Sequence, residues 1–120
     1  MAEREQIDAL VRALDDDPDP LHLDMTPAVQ ALGEIGIDAV PALAGALESP
    51  SEDTRLRAQR ALEAVVQRRH GFAPGRGFPS ERAEQDAREE LARIGYDHES
   101  EPPERAAAIE RLRVWHAASG

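Results

Sequence analysis

Along this chain apolar residues recur three or four positions apart, in blocks closed by proline, glycine or clustered acids. Ile7, Leu10, Val11 and Leu14 have the i, i+3, i+4, i+7 spacing that puts four side chains on one helix face. Asp15-Asp16-Asp17-Pro18-Asp19-Pro20 ends that helix, because proline lacks a backbone donor and clashes with the preceding turn. Thr26 followed by Pro27 reads as an N-cap with proline at the first helical position. Val29, Leu32 and Ile35 then form a stripe up to Gly36. Asp38 is the expected cap of a third helix carrying Val40, Leu43, Ala44 and Leu47, with Pro41 tolerated in its first turn and Ser49-Pro50 as its stop.

Ser51 opens a fourth and longest helix. Glu52 and Asp53 lie at the positive end of its dipole, Arg68, Arg69 and His70 at the negative end, and Ala58, Leu62, Val65 and Val66 on its core face. Residues 71–79, GFAPGRGFP, hold three glycines and two prolines and predict an irregular loop. Ser80 caps a fifth helix with Ala83, Ala87, Leu91 and Ile94 inward, ending at Gly95. After the turn at 96–100, Pro102-Pro103 starts a sixth, carrying Ala108, Ile109, Leu112 and Trp115.

Superposing the blocks shows a period. ALGEIG from Ala31, ALEAVV from Ala61 and ELARIG from Glu90 start about 30 residues apart and would be the second helices of successive pairs. ALVRAL from Ala9 and ALAGAL from Ala42 match as first helices. One such pair cannot bury both its apolar faces, so neighbours must share a core. The stretch 38–66, DAVPALAGALESPSEDTRLRAQRALEAVV, resembles a HEAT repeat of the type grouped with phycobilisome-lyase HEAT-like proteins, and Ile7 to Gly36 follows the same plan. The end of the chain, Gly95-Tyr96-Asp97 followed by Glu104 to Ile109 and Trp115, is similar to the C-terminal end of bacterial HEAT-repeat proteins. The resemblance implies an all-α fold: a single-domain, short right-handed α-solenoid of about three HEAT-like helical hairpins, at about residues 3–36, 38–70 and 80–118, with the irregular loop at 71–79.

Composition narrows the function. With 24 acidic and 14 basic residues the net charge is -10, which lacks the basic stripe that nucleic acid requires and opposes an anionic membrane. Every basic residue is arginine, as GC-rich codon usage produces. The absence of cysteine removes disulfides, thiolate metal sites and a cysteine nucleophile together. The N-terminal residues are charged and no stretch approaches the roughly 20 apolar residues of a membrane span, so a cytoplasmic protein without membrane insertion is expected.

Candidate chemistry is sparse. Asp15, Asp17 and Asp19 have the alternate spacing of a calcium loop, but Pro20 stands where the loop glycine belongs and Thr26 where the bidentate glutamate belongs. His22, His70, His98 and His116 are scattered, without the i, i+4 pair of a helical metal site, so they read as surface histidines and no metal is expected. Ser49, Ser51, Thr26 and Ser80 lie at helix starts or turns, where capping accounts for them, and no glycine-rich phosphate cradle follows a strand. No catalytic residue and no cofactor is expected.

The expected function is therefore a non-enzymatic protein–protein interaction module: a small adaptor, scaffold or assembly subunit that holds a protein partner. Second helices line the concave surface in HEAT-type stacks, which makes Gln30, Glu34, Arg55, Gln59 and Glu63 the candidate binding face. Phe72 and Phe78 flank Arg76 on glycine hinges, either as a protruding contact or folded back as a plug between pairs. Trp115 either covers the end of the stack or meets the partner. The alternative that the resemblance implies is a chromophore lyase or lyase-chaperone, which requires an apolar cleft for a tetrapyrrole.

Overall fold

Local chemistry sets most helix ends of the computed structural model, which describes residues 3–119. The helices are α1 (Arg4–Arg12), α2 (Pro27–Ile35), α3 (Val40–Ala46), α4 (Glu52–Arg69), α5 (Glu81–Ile94) and α6 (Pro102–Ser119). Three begin at the hydroxyls expected to cap them. Thr26 Oγ1 accepts from Val29 N at 3.2 Å, Ser51 Oγ from Thr54 N at 3.3 Å and Ser80 Oγ from Ala83 N at 3.1 Å, each satisfying a donor that the first turn leaves free. Thr26 is buried, so its capping bond also provides for a hydroxyl shut away from water.

Asp38 is not the cap of α3. Gly36 turns the chain at φ 84°, a value L side chains rarely adopt, and Gly36–Ala39 winds into a 3₁₀ turn that runs straight into α3. The residue preceding α3 is Ala39, already in a helical conformation, and no side chain caps that helix. An N-cap needs an extended backbone, and inside a continuous turn Asp38 has none.

Most of the expected stripe residues are buried, while Leu10, Val11, Ile35, Ala83, Leu91 and Trp115 are only half-buried. Ile7, Leu14, Val29, Leu32, Val40, Leu43, Leu47, Ala58, Leu62, Val65, Val66, Ala87, Ile94, Ile109 and Leu112 belong to one apolar core. Each helix packs on its chain neighbour in the pairs α1/α2, α3/α4 and α5/α6, and two further series run through the molecule: α2 on α4 and α4 on α5, α1 on α3 and α3 on α6. The segments ALGEIG, ALEAVV and ELARIG thus lie on helices that touch in sequence. The last pair enters in reversed order, since its first helix, α5, takes the place beside α4 and its second, α6, falls beside α3. The chain is all-helical and compact, with a radius of gyration of 13.5 Å, and among the described residues the only β pairing is one bridge between Ala73 and Gly77.

Helices α2 and α4 approach closely at Gly33. A Cβ added at Gly33 would stand 2.6 Å from Ala64 Cβ, inside van der Waals contact, so the absence of a side chain there sets how close the two helices lie.

Candidate functional site

The residues expected to form one open face are drawn into different roles. Gln30 and Glu34 are exposed on α2, and Glu34 lies 3.9 Å from Arg68. Arg55, Gln59 and Glu63 are half-buried beneath the turn that joins α5 to α6. Arg55 donates through Nε to His98 O at 3.1 Å and through Nη1 to Ser49 O at 2.8 Å. Gln59 Oε1 accepts from His98 N at 3.0 Å, and its amide donates to Glu63, which also accepts from Arg60. Tyr96 OH donates to Leu47 O at 2.6 Å, and burial pushes its phenol up to about 12. Much of this polar row therefore anchors the last helix pair to α4, and only its outer edges face solvent.

Within residues 71–79 one ring, Phe78, folds back onto the core. Phe72 and Phe78 meet edge to face, with centroids 5.2 Å apart and ring planes at 63°. Arg76 is exposed at the tip. Trp115 is half-buried where α4, α5 and α6 converge: its Nε1 donates to Glu90 Oε2 at 2.6 Å and the Arg69 guanidinium sits 5.5 Å from the ring centroid. His70 Nε2 lies 2.5 Å from the other Glu90 oxygen. Burial pushes the Glu90 carboxyl up, but hydrogen bonds from His70 and Trp115 outweigh it and leave the group below its usual range.

Three histidines expected at the surface are half-buried instead: His70 in that junction, His116 on α6, and His98 with 14% of its side chain exposed. His98 Nδ1 is 3.7 Å from Glu52 Oε1 and its Nε2 is 3.6 Å from Glu99 Oε1, and Nδ1 itself is buried without a hydrogen-bond partner. Glu52, His98 and Glu99 bring ligand atoms within 4.8 Å of one another. Each carboxylate approaches a different ring nitrogen, so an ion on one nitrogen would have to draw the far glutamate round the ring. The acidic run is also engaged. Asp15 accepts from Thr54 Oγ1 at 2.5 Å and from Arg57 at 2.9 Å, and the hydrogen bond and charge of Arg60 hold Asp24 below the usual carboxylate range.

Two features had no reading in the sequence. Between α5 and α6 lies an open groove of about 440 Å³, bounded by Arg93, Ile94, Glu110, Arg111, Val114 and Trp115. Arg111 is held there by Nε donating to Ile94 O at 2.9 Å. In the α1–α2 connection, Leu21 and Leu23 are 86% and 64% exposed. An isolated surface leucine carries no signal, and the groove depends on which residues of two helices become neighbours. Among the described residues no helix is long and apolar enough to cross a membrane.

A scan against protein-family models finds no match to this chain, and neither curated proteins nor solved structures yield one.

Proposed function

We propose that this protein is a non-enzymatic interaction module: a short right-handed α-solenoid of three helix pairs of HEAT-repeat type that holds a protein partner, as a small adaptor or assembly subunit. The observation that carries this reading is the pair of contact series, α2–α4–α5 and α1–α3–α6: the first two hairpins share a core by laying like helices side by side, and the third extends both rows in reversed order. Gln30 and Glu34 on α2 and Arg76 at the loop tip are the expected residues left most open to a partner. Arg55 and Gln59 are committed to holding the turn between α5 and α6, Glu63 holds Gln59, and the Phe72/Phe78 pair supports the loop that carries Arg76.

The test is quantitative co-purification from expressing cells with wild type and a Gln30→Ala/Glu34→Ala/Arg76→Ala variant. A stoichiometric protein retained by wild type and reduced about tenfold or more by the variant is expected. Equal recovery by both would remove this surface from the function, and no stoichiometric protein in either would overturn the module itself.

A second reading, chromophore handling, draws on the groove between α5 and α6, whose apolar lining and two arginines suit a large flat ligand with carboxylate arms. Adding a bilin to the purified protein tests it, and an unchanged visible spectrum rejects it.

A further inference from the structure

The α1–α2 connection presents two leucines on a fixed backbone. Asp19 Oδ1 accepts from Leu21 N at 2.7 Å and His22 N at 3.2 Å, and Asp19 N donates to Met25 O at 2.9 Å. Arg57 donates to Leu23 O through Nε at 3.1 Å and Nη2 at 2.7 Å. The main chain is thus tied down on both sides while the two side chains point into water, and little ordering is left to lose on docking. Asp16, Asp17 and Asp19 are exposed around them.

The groove between α5 and α6 has the opposite character. It is lined by Ile94, Val114 and Trp115, with Val114 69% exposed, by Arg93 and Arg111, and by Glu110, whose carboxylate is paired with Arg113 at 2.6 Å. Arg82, Arg88 and Arg113 on the same helices each pair with a carboxylate, whereas among the described residues neither Arg93 nor Arg111 has one within 4.0 Å. In a chain of net charge -10, two uncompensated guanidiniums beside an open apolar lining call for an acidic apolar occupant.

We propose that the occupant is a second copy of this chain, with the Leu21/Leu23 loop of one molecule seated in the α5–α6 groove of the next. The leucine side chains cover the apolar lining, and the aspartates face Arg93 and Arg111. Loop and groove lie on different elements and share no residue, so one molecule can use both at once and the contact is head-to-tail. Net repulsion between copies does not forbid it. The molecule is 30 Å across at its narrowest, several times the Debye length of about 8 Å at physiological salt, so the overall charges are screened while the contact pairs are not. The inference is independent of the partner surface proposed above.

Sedimentation velocity on the full chain, at physiological salt and up to about 1 mM, tests it. Wild type is expected to sediment faster as concentration rises. Val114→Glu, which spoils the groove, and Leu21→Ser/Leu23→Ser, which spoils the loop, each weaken self-association by roughly thirtyfold or more with unchanged circular dichroism, since all three positions are exposed. Mixing the two variants leaves one intact loop and one intact groove, so it should give one-to-one dimers and nothing larger. A wild type that stays monomeric throughout overturns the proposal, as does self-association that survives either variant or a mixture that forms no dimer. A groove that takes only a foreign acidic peptide would appear as the first of these.

Discussion

Helices α2 and α4 meet around buried hydrocarbon with one Glu34–Arg68 pair at the edge, whereas α5 and α6 join the core through apolar residues and a run of directed polar contacts. Val29 and Leu32 on α2 and Ala58, Ala61, Val65 and Val66 on α4 are all fully buried in the shared core, and Gly33 lets the two backbones close up. At the second junction, Arg55, Gln59, Tyr96, His70, Glu90 and Trp115 form directed hydrogen bonds around a smaller set of buried apolar residues. Apolar burial is non-directional and insensitive to pH, so the first junction is limited by volume. Hydrogen bonds fail when one atom is removed or one proton added, so the second is limited by chemistry.

The contrast can be broken most sharply at Leu32. Leu32→Ala should lower unfolding stability by about 3 kcal/mol in urea titration, because a fully buried side chain leaves a cavity; a loss under about 1 kcal/mol would show that hydrocarbon does not dominate there. Gly33→Ala should cost about 1–3 kcal/mol although alanine is the better helix former, and a second change, Ala64→Gly, should recover much of the loss by removing the colliding Cβ.

At the polar junction the effects are smaller but depend on pH. Glu90→Gln should cost about 1–2 kcal/mol at neutral pH. The Glu90 carboxyl titrates below its usual 4.5 in the folded chain, so its contribution is present above that value and lost as pH falls through the lower folded one. The variant's stability should therefore decline less steeply in acid. Tyr96→Phe should cost about 1 kcal/mol by leaving Leu47 O without its donor. In wild type the phenol resists ionising until about 12, while the unfolded chain ionises near 10, so this group's share of stability is complete below 10 and lost as pH rises through 12. Thermal melts across that window should slope downward for wild type and less so for the variant.

What was legible in the sequence divides along the same line. Helix caps at Thr26, Ser51 and Ser80 and the apolar stripes are local or periodic, and both kinds of signal survive into three dimensions. ALGEIG, ALEAVV and ELARIG do lie on helices that touch in sequence, but ELARIG falls on α5, the first helix of its pair, where the spacing predicted a second. Asp38 misled because a capping residue type was read without the backbone that Gly36 imposes. Arg55 and Gln59 read as an open face because the turn that covers them lies some 40 residues further on, and polar contacts at that separation leave no periodic trace. The Arg93/Arg111 pair was hidden for a related reason, since the two arginines become neighbours only once α5 and α6 pack together.

The chain has one indole, and it sits where three helices converge. Trp115 touches a carboxylate and lies beneath a guanidinium, so its emission colour and quenching register the separation of α5 and α6 from α4. Fraying of α1 or α2 alone leaves that environment unchanged. The protein therefore carries an optical gauge for one of its two seams, and a fluorescence trace that runs ahead of the far-ultraviolet signal would time the opening of the polar seam without any added label.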